Sequence, residues 1–195
     1  MATRRAREVL DALEDLFLRE GFGQLKLSDV ATRAKCSRRT LYQLAPSKDE
    51  LVVLVVDRVL QRLGAGARDA AQREERRIDQ LRTYLNTVAA GFQRASLAFS
   101  RDVDAHPATR RVFAAHTAYS VTLMESIVVA GIRDGEFRNV HPGFTAQVLS
   151  DGITSVLDPE FLERSQLTLS AALAELGNLV AYGLIREPAG VSYNT

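Results

Sequence analysis

Ser37-Arg38-Arg39-Thr40-Leu41-Tyr42-Gln43-Leu44 is the stretch whose side-chain types could do the most specific chemistry. Leu41 and Leu44 would lie on an apolar side, while Arg38, Arg39, Thr40, Tyr42 and Gln43 would share a polar one. An arginine can grip guanine O6 and N7 with two hydrogen bonds, glutamine can do the same for adenine, and the hydroxyls of threonine and tyrosine reach phosphates. Lys48 follows at the start of the next helix, where a phosphate is attracted by both the lysine and the helix dipole.

Other candidate chemistries are weaker. His106, His116 and His141 show no i, i+4 pair, and His106 and His141 each precede a proline at a helix start, so capping is expected and a metal site is not. Cys36, the one cysteine, lies between Lys35 and Ser37; a small turn residue is the favoured assignment over a redox thiol. The run Arg73-Glu74-Glu75-Arg76-Arg77 reads as a solvated face or a loop. No phosphate-binding glycine loop, nucleophile elbow or placed carboxylate pair is present, so no enzyme activity and no cofactor are expected.

A polar face on a short helix is useful only if other elements hold it. Alanine and leucine dominate the composition and β-branched residues do not alternate, which predicts an all-α fold of about nine helices. Val9, Leu10, Leu13, Leu16 and Phe17 predict a first helix over 4–20, ended by Gly21. A short helix over 27–34 and a second one opened by Ser37 follow. Ser47 with Glu50 predicts a capping box at the start of a long helix, which Gly64 and Gly66 could bend. From Ile78 the apolar positions 81, 85, 88, 92, 95 and 99 predict one packed helix. Further helices are expected over 107–133, 144–157 and 167–184, with a break at Asp158-Pro159.

Charge supports a division near residue 48. Residues 1–48 hold ten basic and six acidic side chains, whereas 49–195 hold fifteen and eighteen, so only the first part favours a polyanion. The expected organisation is two parts, 1–48 and 49–195. The longest uninterrupted apolar run, Leu51 to Val56, is far short of the roughly 18 residues of a membrane span. With no apolar stretch near the start, a cytoplasmic protein without membrane contact is expected.

Short helix, turn, short helix, braced by a first helix, is the helix-turn-helix arrangement. Gly21-Phe22, Asp29-Val30-Ala31, Ser37, Thr40-Leu41-Tyr42, Pro46-Ser47-Lys48 and Glu50-Leu51, within residues 9–60, resemble the N-terminal domain of the TetR family of bacterial transcriptional regulators. The resemblance implies an all-helical homodimer, with a helix-turn-helix DNA-binding domain over 1–48 and a helical ligand-binding and dimerisation domain over 49–195, that binds double-stranded operator DNA and usually represses until a small molecule binds. It also implies that Lys26 and Ser28 approach phosphate or base, that Arg38, Arg39, Thr40, Tyr42 and Gln43 form the recognition surface, and that Lys48 binds phosphate. Two departures stand out: Leu44-Ala45 replaces a usual aromatic pair, and Arg39 stands where glycine often precedes the threonine.

In that architecture Leu85, Val88, Phe92, Phe99, Val112, Phe113, His116, Tyr119 and Leu123 lie on the helices that would enclose a ligand cavity, favouring an apolar or aromatic effector. Arg94, Arg101, Asp102 and Asp104 could instead select a charged one. Phe144, Val148, Gly152, Ile153, Leu173, Gly177, Val180, Ala181 and Leu184 are the expected dimer interface, their small residues allowing close helix approach. A DNA-binding regulator without a small ligand, answering to a protein partner or to its own concentration, fits the same sequence.

Overall fold

The structure, a computed structural model, describes residues 4–185. Among them are ten helices: α1 (Arg4–Glu20), α2 (Leu27–Arg33), α3 (Arg38–Leu44), α4 (Lys48–Ala71), α5 (Arg77–Gly91), α6 (Leu97–Ala105), α7 (Pro107–Arg133), α8 (Pro142–Leu157), α9 (Pro159–Ser165) and α10 (Leu169–Leu184). The boundaries follow local chemistry. Gly21 and Gly135 take the left-handed conformation, with φ of 75° and 77°, and stop α1 and α7. Ser37, Ser47, Ser96 and Thr168 each accept a hydrogen bond from the backbone three residues on, capping α3, α4, α6 and α10. Prolines occupy the first turns of α7, α8 and α9.

Three sequence expectations change. The helix expected over 78–99 is two: the chain breaks at Phe92, and Ser96 restarts it as α6. The Asp158-Pro159 break holds the short helix α9, with Asp158 as its cap. α4 runs unbroken through Gly64 and Gly66. A further difference concerns α7, which over an 18-residue window reaches a mean hydropathy of 1.3, enough with its length to cross a membrane. It packs against α4, α5, α6 and α8, the position of a central bundle helix.

One apolar core runs from α1–α4 into the body: Val9, Leu13, Phe17, Leu41, Leu51 and Val55 are continuous with Phe92, Phe99, Phe113 and Leu173. A second, built on Ala67, Leu81, Met124, Leu149 and Ala181, fills the far end. Along the α1–α4 seam, Glu14 is only 2% exposed and pairs with Arg58 and Arg62. Burial pushes its carboxyl up, and the charges of Arg62 and Arg58 pull it partly back.

Arg58→Ala is expected to destabilise the fold by about 3 kcal/mol at neutral pH, the low end for a broken buried pair because Arg62 remains. A raised native pKa means that protonation favours the folded state. The penalty should therefore shrink as pH falls through the raised Glu14 value and be full above it. Urea titrations at neutral and acid pH measure both; an equal loss at the two pH values would contradict the role given to Glu14.

Candidate nucleic-acid interface and ligand chamber

α3 is held from beneath by Leu41, which is 1% exposed, and its first turn is closed by Ser37, whose Oγ accepts from Thr40 N at 3.0 Å and lies 2.9 Å from Thr40 Oγ1. Thr40 is therefore half-buried and engaged locally, whereas Arg38, Arg39, Tyr42 and Gln43 are exposed on the opposite face. None of these four has a hydrogen-bond or ionic partner among the described residues. The preceding turn is set by Lys35 at φ 49°, by Cys36 N donating to Ala31 O, and by Arg5 Nη2 donating to Lys35 O at 2.8 Å. Burial pushes the Cys36 thiol up, the opposite of an activated thiolate.

Lys26 and Ser28 are exposed at the start of α2, where Asp29 Oδ2 accepts from Lys26 N at 3.0 Å. Lys48 is half-buried and donates to Gly23 O at 3.1 Å, a tie between α4 and the α1–α2 turn that no sequence pattern announced. Lys48→Ala is expected to weaken every duplex and to reduce the slope of log K against log salt by about 0.9, the signature of one lost phosphate contact. Weaker binding at an unchanged slope would instead assign Lys48 to bracing the turn.

α6 joins this head to the body. Asp102 Oδ2 accepts from Phe22 N at 2.5 Å and Gly23 N at 2.8 Å, and a Cβ at either Gly21 or Gly23 would collide with that carboxylate. Arg94 pairs with Asp15 at 2.8 Å and Arg101 with Glu163 at 2.5 Å. Arg94, Arg101 and Asp102, considered from sequence as selectors of a charged effector, are thus structural links. The Phe22 ring lies 6.3 Å from Phe99, Phe99 6.2 Å from Phe113, and Phe113 6.1 Å from Phe92.

Phe92 and Phe113 are also walls of a cavity of about 80 Å³ between α4, α5, α7, α8 and α10. Leu85, Val88, His116 and Tyr119 line it as expected. Phe99, Val112 and Leu123 do not. Phe99 is turned towards Phe22, Val112 faces a groove beside Asp49 and His106, and Leu123 packs against the second core beside a depression near Arg68. Sequence analysis missed Tyr84, Met124, Leu60 and Leu63, together with the α8 and α10 contributions Ile153, Leu157, Leu173 and Leu176. Polar contacts frame the rim: His116 Nε2 lies 2.8 Å from Asp57 Oδ1, and Arg68 Nη1 donates to Tyr119 OH at 3.0 Å. His106 and His141 cap α7 and α8.

The expected dimer residues divide. Phe144 and Val148 are exposed, at 70% and 45%, and Gly152, Ile153 and Val180 are half-buried. Leu173, Gly177, Ala181 and Leu184 are buried within the chain's own core, and Gly177 abuts Leu85 of α5. Gly177 therefore serves close packing of α10 on α5 within the chain. Two large apolar residues went unnoticed, Leu179 and Tyr182, at 74% and 68% exposed, with Arg82 stacked 5.0 Å from the Tyr182 ring.

Short helix, turn and short helix, braced by α1 and leaving Arg38 and Arg39 without partners among the described residues, form a helix-turn-helix on an all-helical body. Residues 9–55 match the family model of "Bacterial regulatory proteins, tetR family". That match runs from α1 into α4, across the helix-turn-helix segment. The whole chain shares the fold of a TetR transcription regulator from Haloarcula marismortui (TM-score 0.73, 15% identity, covering 93% of this chain and 98% of that one). It is also similar to E. coli NemR in its reduced form (0.70, 20%, covering 95% and 100%). A third similar structure is FadR from Bacillus subtilis in complex with stearoyl-CoA (0.64, 13%, covering 91% and 98%). No curated protein matches the chain.

Proposed function

We propose that this protein is a dimeric repressor that reads its operator through Arg38, Arg39, Tyr42 and Gln43 and is released by an apolar or aromatic effector bound in the chamber. Residues 1–48 act as the DNA-binding domain and 49–195 as the effector and dimerisation domain. Lys26, Ser28, Thr40 and Lys48 contact the sugar-phosphate backbone and set the register of the recognition helix on the duplex.

The observation that carries the proposal is the physical continuity between chamber and DNA-binding head. Phe92 and Phe113 line the cavity, Phe113 touches Phe99 of α6, and the same helix holds the Phe22-Gly23 turn through Asp102. α4 supplies a second connection, running unbroken from the Ser47 cap to the chamber residues Leu60 and Leu63. A ligand that prefers one spacing of α6 and α4 shifts the pitch of the two recognition helices, and a coupling of about 1–3 kcal/mol lowers operator affinity 5- to 150-fold.

A thermal-shift screen of apolar and aromatic metabolites, with each stabilising compound titrated against the protein–operator complex, tests it. Release of DNA is the expected result. Stabilisation with no change in DNA affinity rejects control by that compound, and the failure of a broad library to stabilise the protein favours a regulator without a small ligand.

A further inference from the structure

The chamber wall carries no lysine, arginine, aspartate or glutamate. Its titratable members are already committed or neutral. His116 is held by Asp57 at 2.8 Å, the Tyr119 oxygen accepts from Arg68 at 3.0 Å, and burial pushes the Tyr84 phenol up so that it stays protonated. An anion entering this space would shed its water and meet no lysine or arginine on the wall, the Arg68 guanidinium at the rim being engaged by Tyr119.

What the wall offers is hydrogen-bond donors. Tyr84 OH and Ser120 Oγ are 2.7 Å apart, and one hydroxyl can donate to the other only once, so whichever donates, one O–H of the pair is left over. Thr117, nearly one turn earlier on α7, lines the same cavity, and its hydroxyl has no partner among the described residues. Positions three apart on a helix share a face, so these donors converge.

We propose that the effector is an uncharged, mainly apolar molecule carrying an acceptor oxygen, such as a ketone, aldehyde or ester, which receives hydrogen bonds from Thr117 and the Tyr84–Ser120 pair. The proposal rests on the chamber being the effector site. The adjoining groove supports it: this groove shares Phe113, Thr117 and Leu157 with the chamber and is lined by Asp104 and Asp158 against the lone cation Arg110. An anionic head group lying in this groove therefore finds no net positive charge either.

Calorimetric titration of the intact protein with acetophenone, ethylbenzene and benzoate separates the alternatives, because the three differ little in size but present an acceptor, none, or a charge. 2-Octanone and octanoate repeat the comparison for an alkyl chain. The ketones are expected to bind tightest, ethylbenzene about 5- to 10-fold weaker than acetophenone, and the carboxylates at least ~100-fold weaker than their ketones. Thr117→Val, which keeps the side-chain shape, should lower acetophenone affinity about 5-fold and leave ethylbenzene unchanged. Carboxylates binding as well as ketones, or ethylbenzene matching acetophenone, would overturn this proposal while leaving the chamber an effector site. Binding of none of the five would overturn both.

Discussion

Leu179→Glu or Tyr182→Glu is expected to convert a dimer into monomers and to raise the dimer dissociation constant by at least ~1000-fold. These side chains, with Phe144 and Val148, form the largest apolar exposure on α8 and α10, which pack side by side. A two-fold interface uses the same patch from both subunits, so each substitution counts twice. Losing two buried apolar side chains at about 2 kcal/mol each already gives the stated factor, and two dehydrated carboxylates near the axis add to it. Specific DNA binding should fall with it, because a helix-turn-helix dimer reads two half-sites spaced by whole turns. Sedimentation at micromolar concentration checks the assembly, and circular dichroism should show unchanged helix content. A Leu179→Glu protein that remains dimeric would move the interface elsewhere. Gly177 is the wrong site for this experiment, since a side chain there runs into Leu85 and disturbs the chain's own core.

The elements of the head were legible because their signals are local. Ser37 and Ser47 cap the helices that follow them, Gly21 supplies a positive φ, and Leu41 separates a buried side from a polar one, all within a few residues of sequence. The chamber was legible only in part. Treating 78–99 as one helix kept Phe99 in phase with Leu85, Val88 and Phe92. The break at Phe92 resets that phase and turns Phe99 towards Phe22 instead. Leu173 and Leu176 belong to a helix about ninety residues after α5, and nothing local says that they face it. The role of Gly177 was hidden for a related reason: a small residue announces a close helix contact but not whether the neighbouring helix lies in the same chain. Asp102 carries the least local signal of all, since the groups that donate to its carboxylate, Phe22 N and Gly23 N, are brought to it only by the tertiary arrangement.

Arg38→Ala and Arg39→Ala are each expected to weaken the operator complex by about 1–3 kcal/mol, roughly 5- to 150-fold, and to relax base preference at one position. The structure gives a reason to separate these arginines from the paired ones around them. Arg33 is paired with Glu20, Arg58 with Asp11 and Glu14, and Arg5 with Glu8 and the Lys35 carbonyl. Arg38 and Arg39 have no such partner among the described residues and stand in the first turn of α3, the end of a recognition helix that meets base edges. Their guanidinium groups are thus free to make two parallel bonds to guanine without first breaking an ion pair. Arg33→Ala serves as the control, because a paired arginine on α2 should change operator affinity by less than either. Affinities are to be measured on the protein's own promoter site and on a scrambled duplex. Loss confined to the promoter site assigns base reading, equal loss on both duplexes reduces the arginines to phosphate contacts, and no loss in either variant removes the amino-terminal turn of α3 from the interface.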